Sequence, residues 1–428
     1  MVKLQPRWPA GKMPGVAVFF QVFLPFALGH YLSCLLRTVN AVLTPHLQAE
    51  LSLNQLQVAL LSSAFFLSFA LVQLPIGVAL DRYGPRKVQS LLLLLAALGV
   101  LMFSHGHSFG ALMLARVVMG AGLGGSFMSA VKAISTWVPP VQLPAVHGYL
   151  IAIGGLGSAS ATQPVELALQ SIDWRGVFNA LAVAALLVSL LVHRWAPSPE
   201  LGAQRRPVTL DSLCEVYRNR AFRDTIALML VPHAVFFGVQ GLWIGQWLGD
   251  VVKLPAPAVA RVLALSMGAV IVGAVGVGKL AEAAARRGVP PLSVAAGGIV
   301  VFVAVQCALV CDYGPNMLWL AIAFTLVGTI TGLEYAIVSQ SVPAALAGRA
   351  ATCLNLLIFV GAFLVQAGFG MILCFWTPNA ARQYPAQAYQ VAFALLIVVQ
   401  LPGLLRFFLR RQGGASASGK MASCTALT

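Results

Sequence analysis

Gly77-Val78-Ala79-Leu80-Asp81-Arg82-Tyr83-Gly84-Pro85-Arg86-Lys87 separates two long apolar runs. A small residue is followed four positions later by an acid, and then by two adjacent basic residues. The same order returns as Gly278-Lys279-Leu280-Ala281-Glu282-Ala283-Ala284-Ala285-Arg286-Arg287. Each copy joins the second and third apolar runs of a group of six. The chain therefore reads as a duplicated unit, with the division near its middle.

Composition says what kind of unit it is. Of 428 residues, 59% are hydrophobic and 9% charged, against about 25% charged in soluble domains. A chain this apolar needs lipid to cover much of its outside. A bilayer core takes about 20 apolar residues per helix. Twelve segments qualify, numbered here as spans 1 to 12: 17–45, 55–80, 88–105, 109–135, 144–168, 176–195, 224–248, 258–281, 291–311, 317–341, 349–376 and 387–409. The fold expected is an all-α integral membrane protein, with twelve transmembrane helices in two pseudo-symmetric six-helix bundles.

The net charge of +15 would suggest nucleic acid in a soluble protein. Here the basic residues lie in short loops, as they do when Lys and Arg set topology. With the N-terminus in the cytoplasm, four of the 27 (Arg175, Lys253, Arg261 and Arg382) face outward, two (Arg37 and Arg116) lie within spans, and 21 are cytoplasmic. No nucleic-acid partner is expected. Lys3, Arg7 and Lys12 precede a first run too long for the core of a signal peptide, so that run reads as an uncleaved span. Residues 1–195 and 224–411 are the expected bundles. Residues 196–223, with Arg205, Arg206, Arg218, Arg220 and Arg223, are the cytoplasmic linker. Within it, Leu210 to Phe222 could form an amphipathic surface helix. The Gly/Ser/Ala-rich stretch 412–428 reads as a disordered tail. The seven cysteines form no CxxC pair and read as packing residues.

Gly77 to Lys87 resembles the signature loop of the major facilitator superfamily, G-x-x-x-D-R-x-G-R-R, with Pro85 where a basic residue is common. Arg116-Val117-Val118-Met119-Gly120-Ala121-Gly122 resembles that family's fourth-helix motif. Gly148 to Pro164, with Gly154, Gly155 and Gly157, resembles its glycine-rich fifth helix. The resemblance implies alternating access in a secondary transporter. It also implies a gating role for Gly77, Asp81, Arg82, Gly84, Arg86 and Lys87, with Glu282 and Arg286 as their counterparts. On the residues alone, Asp81 beside several cations reads either as a conformational latch or as part of a topology-setting loop. The small residues of spans 4 and 5 allow close helix contact.

Two nucleotide motifs fail on context. Gly120 to Gly125 matches G-x-G-x-x-G but lies inside a span and follows no strand. Gly273 to Lys279 matches G-x-x-x-x-G-K, but Leu280 stands where Ser or Thr would hold magnesium. His105 and His107 are too few for a metal site. No nucleophile–base set is recognisable. Neither enzyme activity nor a cofactor or metal is expected.

Ionisable groups inside spans cost at least about 2.5 kcal/mol to insert and usually face a cavity. Arg37, Arg116, His233 and Glu334 are such groups. The stretch from His30 to Pro45 is similar to the first helix of the organophosphate:phosphate antiporter branch. By that resemblance Arg37 is a cavity arginine that binds the anionic substrate. The alternative is snorkelling toward the outer interface. The branch's second arginine, in span 7, falls on Phe237 here, with His233 one turn earlier. A monoanion or zwitterion therefore fits better than a clamped organophosphate. Burial disfavours an ionised carboxyl group, so Glu334 reads as a proton-coupling group, a site for a substrate ammonium, or a structural carboxyl. Gln240, Asn355 and Gln366 are candidate lining residues; Arg116 and Gly120 belong to the fourth-helix motif. Trp137, Trp174, Trp195, Trp319, Trp376, Tyr384 and Tyr389 read as interfacial anchors.

The expected protein is a monomeric, multi-pass transporter of a bacterial inner membrane, with both termini cytoplasmic. It takes up a small organic anion or zwitterion, with protons as coupling ion. A drug or metabolite exporter and a non-transporting sensor on the same fold are the alternatives.

Overall fold

The structure is a computed structural model that describes residues 15–138, 143–197, 210–311, 317–342, 344–379 and 382–425. Lys3, Arg7, Lys12, Arg205 and Arg206 lie outside these residues. Among the described residues there is no strand. Ten helices are long and apolar enough to cross a membrane. The other two spans are shorter or broken. Span 2 is Gln55–Leu71 running on into Gln73–Ser104, which also contains span 3 beyond a kink at Gly84. Span 5 is Leu143–Ser160 followed by Gln163–Leu169.

The duplication visible in the sequence recurs in the backbone. Gly84 (φ 79°) and Gly288 (φ 73°) are the two positive-φ glycines among the described residues. Each turns the chain from the second to the third span of its group. A side chain rarely adopts this conformation, so a glycine carries each turn.

Helices approach closely where glycines leave room. A Cβ added to Gly122 in span 4 would sit 2.4 Å from the backbone nitrogen of Ala96 in span 3. Backbone cannot move aside as a flexible side chain can. Gly122→Val is therefore expected to cost at least about 1–3 kcal/mol and to lower the thermal midpoint in detergent. A wild-type midpoint would count against this packing. Polar pairing ties other spans: Gln306 and Gln400 exchange amide hydrogen bonds of 3.3 and 2.9 Å between spans 9 and 12.

The two groups of six meet along three seams. Phe359 of span 11 packs against Phe66 and Phe69 of span 2. Gly155 of span 5 faces Ile271 of span 8, and Gly245 of span 7 faces Ala41 of span 1.

Glu50 clasps one rim of the first group. Its carboxylate accepts from the Trp174 indole at 2.6 Å and from Arg175 at 2.5 Å. Arg175 also donates to the carbonyls of Ser104 and Gly106. These bonds join the ends of spans 1, 3 and 6 on that rim. The Trp174 and Arg175 bonds hold the Glu50 carboxyl below its usual range. A depressed carboxyl stabilises the fold above its unfolded value, near about 4.3, and loses that contribution as pH falls through its own lower value. Glu50→Gln is thus expected to lower the thermal midpoint at pH 7 by about 1–2 °C, since the pair is largely solvated. The difference from wild type should vanish in strong acid. A difference that persists there would assign the effect to packing.

Three local expectations need correction. The linker helix is Leu210–Arg218 rather than reaching Phe222, because Asn219 accepts from the Phe222 amide and starts a new helix at Arg220. The last helix runs Ala386–Thr425, through the stretch expected to be disordered. Its Ala, Ser, Lys and Met extend an existing helix without the cost of a new nucleus. Among the aromatic anchors, Trp195 and Trp319 are exposed, but Trp137, Trp174, Tyr384 and Tyr389 are buried. Tyr389 is held inside by a 2.7 Å bond from its hydroxyl to Asp250.

Candidate functional site

Spans 1, 7 and 10 are irregular where they approach the interface between the two groups. Span 1 tightens at Val39, whose carbonyl accepts from both Val42 and Leu43, between Leu24–Thr38 and Asn40–Leu51. Span 7 contains a π-helical turn, Val239–Trp243, and span 10 a 3-10 turn, Thr329–Gly332. Such departures release backbone groups and re-aim side chains, and they recur at functional sites. Here they flank Arg37, Gln240 and Glu334.

Arg37 is half-buried. Its guanidinium donates to the Cys34 sulfur at 3.7 Å and rests 5.0 Å from the ring centroid of Phe237, across the interface. Among the described residues no carboxylate lies within ion-pair distance of it. The ring that stands where a second arginine was sought thus lies against the first. It is also stacked on His233 at 5.0 Å and on Phe359 at 5.5 Å.

His233 and Glu334, both inside the protein, meet directly. Nδ1 of His233 lies 2.9 Å from Oε2 of Glu334, with side chains 4% and 0% exposed. The second carboxyl oxygen of Glu334 has no hydrogen-bond partner among the described residues. The next residue, Tyr335, turns its hydroxyl to Oδ1 of Asn355, and its ring lies edge-on to His233 at 6.0 Å. Four predicted residues (Arg37, His233, Glu334 and Asn355) thus form one chain of neighbours through Phe237 and Tyr335.

Gln240 stands apart from that chain. Its Oε1 accepts from Thr325 at 2.6 Å. Gln366 donates to the Gly238 carbonyl at 3.2 Å, beside the π-helical turn. The pair braces span 7 against spans 10 and 11. Arg116 is fully buried within the first group. It donates to the Leu36 carbonyl at 3.1 Å and lies 4.9 Å from the Phe103 ring, with Nε and one terminal nitrogen unpartnered. Gly120 sits against Ser68 and the Phe65 carbonyl.

The loop residues occupy the rim opposite Glu50. Asp81 pairs with Lys132 of span 4. Arg86 donates to the His193 carbonyl at 2.7 Å, and Arg82 lies over Tyr83. Lys87 is exposed. Glu282 and Arg286 pair at 2.6 Å. No described atom crowds Gly77. His107 faces Arg175 at 3.3 Å. Among the described residues no group of three or more His, Cys, Asp or Glu is placed to hold a metal.

Sequence reasoning missed Phe237 as a contact of Arg37, and it missed Cys34, Tyr335 and Phe359. Their only signal is position, one or two turns from a charged residue on an apolar span. It also missed a cleft of about 550 Å³ at one end of the interface, whose lining includes Ala41, Gln55, Glu166, Gln246, Asp250 and Arg382.

The family description "Major Facilitator Superfamily" matches residues 26–366. The chain is 28% identical over 164 residues to the probable sulfoacetate transporter SauU of Cupriavidus necator, covering 38% of each protein. It is 39% identical over 105 residues to the nitrate/nitrite transporter NrtP of a Picosynechococcus species, covering 24% of this chain and 20% of that protein. The matches thus span well under half of these relatives. In fold, the chain is similar to a bacterial homologue of the human lysosomal transporter Spinster, solved inward-facing and unoccupied. The TM-score is 0.74 at 18% identity, covering 93% of this chain and 97% of that one.

Proposed function

The chain belongs to the Major Facilitator Superfamily, and on that premise we propose that it carries a small organic anion or zwitterion across a bacterial inner membrane by alternating access, in proton-coupled uptake. Residues 1–195 and 224–411 are the rocking units, 196–223 joins them, and both termini are cytoplasmic. The observation that carries the reading is Arg37. It is a cation between the two groups of helices with a sulfur and a ring face for partners, and no carboxylate among the described residues. An arginine without a counterion at membrane depth is costly unless an anion visits it. Its planar fork suits a carboxylate. The relatives named for sulfoacetate and for nitrate and nitrite lend support, as both names denote small anions.

The His233–Glu334 pair supplies the coupling. A bridged histidine and carboxyl sharing one proton are neutral as a unit. A second proton makes the unit positive, which is unfavourable at this depth unless a negative charge is near. Anion on Arg37 and second proton on the pair stabilise one another, so they bind and leave together. Asn355, through Tyr335, fixes the orientation of the pair. Asp81 with Lys132 braces the cytoplasmic ends of spans 2 and 4 between states, and Glu282 with Arg286 supports one end of span 8 from within its own helix.

The test uses the purified chain in proteoliposomes with an imposed pH gradient, acidic outside. Small carboxylates, sulfonates, amino acids and cationic drugs are offered in turn. Accumulation of a carboxylate-bearing solute that collapses with a protonophore supports the reading. Extrusion of cationic drugs in its place would make the protein an exporter, and the absence of any solute movement would favour a sensor.

A further inference from the structure

Arg37 is not the only charge at the interface without an opposite charge beside it among the described residues. Glu166, near the outer end of span 5, is 8% exposed and lines the outer cleft. Among the described residues its carboxylate makes no hydrogen bond or ion pair. The other two charges in the cleft are engaged. Asp250 accepts from the Tyr384 amide at 3.1 Å and the Tyr389 hydroxyl at 2.7 Å. Arg382 donates to the Gln48 carbonyl at 2.6 Å. Two more polar groups in the lining are unsatisfied: Oε1 of Gln55, a residue 3% exposed, and both amide atoms of Gln246.

Arg37 does not itself line the cleft, but span 1 reaches both. Ala41, in the lining of the cleft, lies one helical turn outward from Arg37 on span 1. Spans 1 and 5 run side by side, with Gly157 against the Tyr31 carbonyl. From that contact Arg37 is six residues further along span 1, and Glu166 is nine residues further along span 5, beyond the interruption at Thr162. A carboxylate without a nearby cation and a guanidinium without a nearby anion, among the described residues, thus lie on neighbouring helices, both beyond the same contact.

Resting on the transport reading above, we infer that the substrate is a zwitterion of the amino-acid type, its carboxylate on Arg37 and its ammonium on Glu166. A simple monoanion satisfies Arg37 but brings a like charge toward Glu166 in a partly dehydrated cleft, where repulsion is stronger than in water. A simple cation does the reverse. A molecule carrying both charges satisfies both groups.

The experiment pairs neutral amino acids, α and ω, with their deaminated acids in the same proteoliposomes. Wild type is compared with Glu166→Gln, Glu166→Asp and Arg37→Gln, each checked for monodispersity in detergent. The amino acids should be transported and their deaminated partners should compete poorly. Glu166→Gln should raise the amino-acid KM about 10- to 100-fold, the worth of one charge-assisted hydrogen bond, while Glu166→Asp retains most of the affinity. The inference is overturned if the deaminated acid is carried as well as the amino acid, or if Glu166→Gln leaves the amino-acid KM unchanged. Transport of plain carboxylates that Arg37→Gln abolishes would sink the zwitterion alone. Failure of every solute would sink the transport reading beneath it.

Discussion

Arg37→Gln is expected to lower kcat/KM for the transported solute by about 100-fold or more, the loss of a bidentate, charge-assisted contact. The size follows from how little else holds the anion. Phe237 faces Arg37 where a second arginine was sought, so no neighbouring cation takes over the charge. Arg37→Lys keeps the charge but replaces a planar fork with a point donor, and should recover only part of the loss. The fold should tolerate both changes, because the contacts given up are a 3.7 Å bond to sulfur and one ring face. The measurement is initial uptake over a range of solute concentrations, beside thermal midpoints in detergent. Equal uptake by wild type and Arg37→Gln would place the anion elsewhere. A matching collapse in thermal stability would make Arg37 a structural residue.

Why Arg37 could be singled out in the sequence, and Phe237 could not, has a physical cause. A charge inside an apolar run is costly enough to be conspicuous in one dimension, so Arg37, Arg116, His233 and Glu334 all stand out from their neighbours. Their pairing is not written locally. His233 and Glu334 are 101 positions apart, and either one alone reads as structural as readily as functional. Phe237 looks like any other core aromatic until a guanidinium is found on its face. Glu166 was hidden differently: at the end of a span, a lone acid cannot be told from a loop residue. The twelve-span plan was legible because length and apolarity are summed over about 20 residues and tolerate local error. The irregular turns of spans 7 and 10 arise from contacts with other spans, such as Gln366 on the Gly238 carbonyl. No short window contains that information. Asn219 is a counterexample, since a capping residue before Arg220 was in plain view and marks the helix boundary that the amphipathic reading ran past.

Glu334→Gln should separate movement from accumulation. The amide keeps the volume of the carboxyl group and can still accept from His233, so the packing around Tyr335 and Asn355 has no reason to change. It cannot take up or release a proton. Exchange of labelled for unlabelled solute at equal concentrations needs only the binding site and the rocking motion, and it should proceed at a rate near that of wild type. Net accumulation against a gradient needs the proton to travel with the solute. In the variant, uptake should level off at equal concentrations on the two sides, and the dependence of its rate on outside pH should flatten. His233→Ala is the harsher change. It leaves a buried carboxyl group without its neighbour, and breaking a buried pair in this way costs about 3–5 kcal/mol. That variant should be less stable as well as uncoupled, whereas Glu334→Gln should be uncoupled alone. If Glu334→Gln instead loses exchange and accumulation together, Glu334 takes part in binding or holds the fold, and the coupling proton must be carried elsewhere. If accumulation survives intact, the pair is structural, and the orphaned second oxygen of Glu334 has no part in transport.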